Sequence, residues 1–460
     1  MERDKAGHYA TGLACALLGV AYMLVRWGPV THGGADFLAF FYPAGKQVLH
    51  GNLHYSLPRH YNTTNIGLFR YPPIAAEMFA LFAWLPAKAA ATAWWITGVL
   101  LMGATALLMA TCADRSRGLF AGITFLSLAA FAPLAISIAA QLDIWIVALV
   151  AGAFALSGDR SRPRLVFAAG CLLGVAASLK IYPLLTIAII VALRRSEARM
   201  LLCGAASSIA ACLIIPLLTL GTGPLREYVH VLLTQGSTVL TAFPFAFGFL
   251  SIAYRGLVST PYVIGSAHLD PVLVKALFVF FILCVLGFAG WRLRSTRASR
   301  GMVWVTAIVV TAVCSPFLEI QHLAPLALLT AMLSMDATVP MVPLVFGCFA
   351  CGVASQVVSL RASEVLSVLV AAAVGIWLLR GAPFGWTRRL QIAAFGGAFV
   401  LLATPAFLNV SSSWGEPMSL AQVVFGSAEY VFVLLVMLLT PRISWTAETT
   451  PLLVGPSALA

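Results

Sequence analysis

Asp36 is the residue whose type and surroundings best suit it to proton chemistry. It stands in Gly33-Gly34-Ala35-Asp36-Phe37-Leu38-Ala39-Phe40-Phe41-Tyr42, just past the first long apolar run, in a chain that is 61% hydrophobic and 10% charged. A carboxylate at a membrane edge can take the proton of an acceptor hydroxyl within hydrogen-bond reach. Further groups of this kind are Gln141 and Asp143, Lys180 and Tyr182 in Ser178-Leu179-Lys180-Ile181-Tyr182-Pro183, and Tyr71 in Tyr71-Pro72-Pro73. Glu319, Gln321 and His322 follow in Ser315-Pro316-Phe317-Leu318-Glu319-Ile320-Gln321-His322. Polar and ionisable groups at membrane depth are costly and mark functional sites. Lysine and histidine suit a lipid-linked phosphate, where they stabilise charge developing as it leaves. Each residue also has a structural reading. Lys180 can snorkel to the interface from a helix end. Glu319 can pair with Lys180 or His322, and Tyr71-Pro72-Pro73 can be a stiff helix start.

The elements that hold these groups are membrane helices. The mean hydropathy is +0.96 over 460 residues, and apolar runs long enough to cross a hydrocarbon core recur from end to end. Closed barrels show alternating ten-residue segments instead, so the expected class is an all-α polytopic membrane protein. Candidate spans cover 9–27, 88–111, 118–135, 138–157, 165–180, 182–193, 200–219, 271–292, 301–315, 322–335, 340–359, 363–379, 389–408 and 421–441, a set of 11 to 14 helices. The first lacks a small-x-small cleavage site and reads as an uncleaved span. One membrane domain takes residues 1–441, and the polar tail 442–460 is expected to be flexible and cytoplasmic. A short amphipathic stretch over 74–85 ends at Pro86.

Basic residues give the orientation, because lysine and arginine favour cytoplasmic loops. With the N-terminus inside and alternating spans, clusters at Arg3/Lys5, Arg115/Arg117, Arg160/Arg162/Arg164, Arg194/Arg195/Arg199, Arg292/Arg294/Arg297/Arg300, Arg380/Arg388/Arg389 and Arg442 all face the cytoplasm. They hold 18 of the 28 basic residues. Two long segments, 28–87 and 220–270, then lie outside and carry interfacial helices, with Asp36, Tyr71, Gln141, Lys180, Tyr182, Glu319 and His322 on the same outer face. In an inner (plasma) membrane this is the periplasmic or extracytoplasmic side.

The net charge of +12 sits in short loops and is not a nucleic-acid signal. Nine cysteines lie in or at the ends of spans, and the Cys348-x-x-Cys351 pair falls within an apolar run, which argues against a disulfide framework or a zinc site. There is no P-loop, no GxGxxG after a strand and no DxD pair in a soluble domain. A sugar donor used on the outer face is therefore lipid-linked, and no cofactor or metal is expected.

The motifs resemble the GT-C glycosyltransferases of family 87, the polyprenyl-phosphate-mannose-dependent mannosyltransferases. The resemblance rests on Gly34-Ala35-Asp36 to Phe41-Tyr42-Pro43-Ala44-Gly45, Gly51-Asn52-Leu53-His54-Tyr55 and Phe69-Arg70-Tyr71-Pro72-Pro73. Gln141, Lys180-Ile181-Tyr182-Pro183 and Ser315-Pro316 through His322 follow in matching order, over roughly 9–335. It implies a GT-C fold and an inverting, metal-independent transfer of a hexose from a polyprenyl-phosphate sugar to a lipid or glycan acceptor. Asp36 would be the general base, with His322 and Lys180 near the donor phosphate. Gln141, Glu319, Tyr71 and Tyr182 would line the substrate. Gln141-Leu142-Asp143 departs from a Gln-x-Asn-like pair, Glu319-Ile320-Gln321 replaces a tryptophan or serine near the late histidine, and Phe243-Pro244-Phe245 replaces a polar stretch. These departures bear on donor sugar and acceptor rather than fold. A transporter or flippase of lipid-linked saccharides is the alternative, although transporters bind near the midplane, often with matched broken helices. A non-enzymatic partner in envelope polymer synthesis is the third reading.

Overall fold

A computed structural model describes residues 2–27, 37–55, 69–112, 117–131, 141–158, 162–235, 269–295 and 300–315, with isolated positions at 250, 258, 263–264, 324–325, 327–328, 332 and 418–419. Asp36, Glu319, His322, the Cys348-x-x-Cys351 pair, the tail and the predicted spans 340–359, 363–379, 389–408 and 421–441 lie outside the described residues. The helices run in the order α1 (Glu2–Trp27), a π-helical turn (Phe37–Phe41), α2 (Tyr42–Leu49), α3 (Pro73–Ala83), α4 (Ala87–Thr111), α5 (Arg117–Phe131) and α6 (Asp143–Leu156). Then come α7 (Pro163–Leu179), α8 (Pro183–Leu193), α9 (Arg195–Leu220), α10 (Thr222–Gln235), α11 (Pro271–Ser295) and α12 (Arg300–Val313). Two short strands, Val263–Ile264 and Met418–Ser419, pair in parallel.

Helix boundaries follow proline chemistry. Proline lacks an N–H and holds φ near the helical value, so it suits a first turn whose N–H groups have no intrahelical acceptor. Pro73, Pro163 and Pro183 each open a helix, and Pro86 directly precedes α4. The expected span 182–193 becomes α8, separated from α7 by a break at Lys180–Tyr182. Here Lys180 is extended (φ −143°, ψ 138°). Among the described residues, α4 and α9 are long and apolar enough to cross a membrane, with 25 and 26 residues.

Burial separates the faces of these helices. Large apolar side chains on α9 face outward, including Ile214, Ile215 and Leu218, while Leu201, Gly204 and Ala205 are buried. An outer surface this apolar suits lipid as the surrounding solvent. The buried side of α9 packs along α7. α6 packs on α7, and α4 packs on both α5 and α6. α8 packs on α12, joined by a buried hydrogen bond of 2.8 Å between the hydroxyls of Thr186 and Thr311. Arg194, which the charge pattern assigns to a loop, is buried in an ion pair of 2.7 Å with Glu197 in the first turn of α9.

Small residues allow the close approaches. A Cβ on Gly204 would lie 2.0 Å from the backbone oxygen of Phe167 in α7, and one on Gly170 would lie 2.2 Å from that of Leu201. Helix packing in membranes depends on such small-residue contacts, because lipid supplies no hydrophobic driving force between helices. Backbone cannot retreat as a flexible side chain can. Gly204→Ala is therefore expected to cost about 1–3 kcal/mol, the usual penalty of overpacking. Thermal unfolding in detergent checks this, with Gly103→Ala as the matched control, since nothing lies within 4 Å of a Cβ there. Equal midpoints for the two variants would refute the close α7–α9 approach.

Candidate active site

Three helix ends bring the polar residues together. Tyr71 precedes the Pro72-Pro73 start of α3, Gln141 and Asp143 flank the start of α6, and Lys180 and Tyr182 form the break between α7 and α8. The Tyr71 hydroxyl donates to Oε1 of Gln141 in a short contact. Lys180 Nζ lies 2.7 Å from Oδ2 of Asp143, with side chains only 7% and 0% exposed. The Tyr182 hydroxyl faces the other oxygen, Oδ1, at a long 3.5 Å. The same Lys180 ammonium sits 5.3 Å from the Tyr71 ring centroid, within cation–π range.

Both helix dipoles favour this ion pair. Asp143 lies in the first turn of α6, where partial positive charge stabilises an anion, and Lys180 caps the C-terminus of α7, where partial negative charge stabilises a cation. The sequence gathers Gln141, Asp143, Lys180, Tyr71 and Tyr182 on one face, and the structure brings all five into one cluster. It adds a pairing the sequence reading did not name: the Asp143 carboxylate lies on Lys180. Asp36, Glu319 and His322 lie outside the described residues.

An aromatic wall backs the cluster. Phe41 meets Tyr71 edge-on at 5.1 Å and stacks on Phe79 at 4.5 Å, with an interplanar angle of 2°. Phe37 stacks on Trp94 at 5.6 Å, and Trp94 on Trp145 of α6 at 5.8 Å. Offset and edge-on geometries are those the ring quadrupole favours. Their pairing across the π-helical turn, α3, α4 and α6 has no local signal in the sequence.

A clamp holds Tyr71 from its other side. The buried Tyr55 hydroxyl donates to the Tyr71 carbonyl at 2.7 Å, and the Tyr55 N–H donates to Glu227 Oε2 of α10 at 2.7 Å. His54 Nδ1 lies 3.6 Å from the second oxygen of Glu227. Burial raises the Tyr55 phenol far above its ordinary pKa, with neighbouring Tyr228 and Glu227 adding to the rise, and burial raises Tyr228 as well. Tyr55 therefore stays a neutral donor. Glu227 was missed in the sequence because its partner lies 172 positions away. Beside the cluster, an apolar cavity of about 160 Å³ is lined by Pro72, Pro73, Ala177, Ser178, Ile181 and Tyr228, among others. Among the described residues no three His, Cys, Asp or Glu side chains come together as metal ligands.

The arrangement offers an aromatic surface, an amide–phenol pair and a buried cation with its counter-charge, which together suit a polar substrate with an anionic group. Comparison with solved structures finds similarity to the crystal structure of ArnT from Cupriavidus metallidurans bound to undecaprenyl phosphate, with a TM-score of 0.45 and 14% identity over 93% of this chain and 76% of that one. The apo crystal structure of the same ArnT gives a TM-score of 0.43 at 14% identity and the same coverage. No curated protein matches the sequence. The sequence model of glycosyltransferase family 87 matches residues 69–316, a span that contains Tyr71, Gln141, Asp143, Lys180 and Tyr182. With more than half its length matched, the chain belongs to glycosyltransferase family 87 and is a helical membrane glycosyltransferase.

Proposed function

We propose that this glycosyltransferase moves a hexose, mannose by the family resemblance, from a polyprenyl-phosphate sugar to a hydroxyl of a lipid or glycan acceptor. The observation that carries the reading is the meeting of Tyr71, Gln141, Asp143, Lys180 and Tyr182 inside the family-matched span. Absence of a nucleotide-binding motif in the sequence supports a lipid-linked donor. The arginine pattern supports an inner-membrane protein with its N-terminus in the cytoplasm and its site on the extracytoplasmic side. Membership of a glycosyltransferase family removes the ground for the transporter alternative.

In this reading Asp36 takes the proton of the acceptor hydroxyl as its oxygen attacks the anomeric carbon. The bond from that carbon to the phosphate oxygen breaks, and its electron pair leaves on the polyprenyl phosphate. Attack opposite the leaving group inverts the anomeric centre. His322 and Lys180 stabilise charge on the departing phosphate, while Tyr71, Tyr182, Gln141 and Glu319 line the sugar and its linkage. No metal or cofactor takes part in this scheme.

Asp36→Asn is expected to lower transfer by roughly 10²–10⁴-fold, the range for loss of a general base, while donor binding persists. Single-turnover assays on purified protein with a polyprenyl-phosphate mannose check this, and substantial residual turnover would remove Asp36 as base. His322→Ala is expected to raise the apparent KM for the donor about ten-fold or more, equivalent to at least ~1.4 kcal/mol of binding, with a smaller change for the acceptor. Unchanged donor kinetics would take His322 out of the donor site. Mass spectrometry of envelope glycolipids in a deletion strain is expected to show loss of one hexose from the acceptor; an unaltered glycolipid profile would count against an envelope acceptor.

A further inference from the structure

The ion pair between Asp143 and Lys180 carries a consequence for substrate turnover. A lone ammonium in an apolar, poorly hydrated site attracts phosphate strongly, because Coulomb energies rise as the effective dielectric falls. Here the ammonium is not alone. Asp143 Oδ2 lies 2.7 Å from Lys180 Nζ, and both side chains are almost entirely excluded from solvent. An anion approaching this pair meets a dipole rather than a full positive charge.

The two phosphates of the proposed reaction differ in charge. The donor is a phosphodiester with one negative charge. The product is a phosphomonoester whose second ionisation lies near pH 6, so at pH 7 it carries about −1.5 to −2. A free ammonium would bind the product more tightly than the donor, and the enzyme would be held by its own leaving group. The Asp143 carboxylate opposes this in proportion to phosphate charge, so it acts harder on the product than on the donor.

We propose that Asp143 is a positioning residue that fixes Lys180 over Tyr71 and tempers its charge, setting the balance between holding the donor and releasing the lipid-phosphate product. The geometry supports both parts. Asp143 holds one side of the ammonium while the Tyr71 ring lies 5.3 Å from it. Tyr182 faces the second carboxylate oxygen, and the starts of α3 and α6 and the α7–α8 break carry all the partners on helix ends. This inference rests on the reading that Lys180 faces the donor phosphate.

The test uses the purified full-length chain and two probes: a polyprenyl phosphate, and its methyl phosphodiester with one charge fewer. Binding is measured by native mass spectrometry alongside product-inhibition kinetics. In the wild type the monoester is expected to bind no more than about two- to three-fold tighter than the diester despite its extra charge. Asp143→Asn is expected to tighten the monoester about ten-fold, with a smaller gain for the diester and a fall in kcat as product release slows. Adding Lys180→Met to that variant should return both affinities to wild-type values or weaker.

A wild type that already prefers the monoester ten-fold overturns the proposal, and this arm needs no variant to fold. Asp143→Asn that still binds the diester yet leaves the monoester-to-diester ratio unchanged overturns it too. Lys180→Met alone separates the levels. If it alters neither probe, Lys180 does not face the phosphate, and the reading falls with the inference. If it weakens both probes while Asp143→Asn leaves their ratio unchanged, the inference alone falls.

Discussion

The buried ion pair between Asp143 and Lys180 is the constraint around which the described site is arranged. Removing two charges from water costs several kcal/mol per ion even after relaxation, and a salt bridge offsets this only with good geometry and added support. The chain supplies that support from its helix termini. Asp143 lies at the positive end of α6 and Lys180 at the negative end of α7, so both macrodipoles favour the charges as placed. Deleting one partner would strand the other charge, a change that costs about 3–5 kcal/mol in buried pairs. The arrangement therefore fixes α6 against the α7–α8 break.

That break has its own requirement. Backbone groups at membrane depth need partners, and irregular backbone is tolerated only where protein or water satisfies it. The Lys180 N–H donates to the Ala176 carbonyl, and the Leu184 and Leu185 N–H groups reach the carbonyls of Ile181 and Tyr182. Pro183 opens α8 without an N–H to satisfy. Lys180 can then take an extended conformation, and its side chain and that of Tyr182 both reach Asp143. A continuous helix would place Lys180 and Tyr182 about 200° apart around its axis, at roughly 100° per residue. It could not turn both toward one carboxylate.

Local chemistry was readable before the structure. Proline marked the start of α3, hydropathy marked α4 and α9, and the rarity of charge singled out Lys180 and Asp143. Pairing was not readable. The sequence reading named no partner for Asp143, because nothing in residue type points from Lys180 to a carboxylate 37 positions away. Glu227 escaped notice for a related reason. Its role depends on the backbone of Tyr55, and backbone hydrogen bonding across 172 positions leaves no trace in residue type. The aromatic wall was visible as composition but not as stacking, because offset ring geometry follows from how the π-helical turn, α3, α4 and α6 pack.

Tyr71 joins the two halves of this arrangement. Its ring faces Lys180 and Phe41, its hydroxyl is held by Gln141, and its carbonyl is held by Tyr55. Tyr55 is tied in turn to Glu227 on α10, so the segments before α3 and after α9 meet through one backbone carbonyl of the site. The Tyr55 phenol stays neutral because burial raises its pKa, and a neutral phenol can keep donating to that carbonyl across the working pH range. A change in the seating of α10 would therefore reach the Tyr71 ring through two hydrogen bonds of 2.7 Å, without crossing the charged pair. The charged pair and the α10 clamp thus act on the same tyrosine by separate routes, one through its ring and one through its carbonyl.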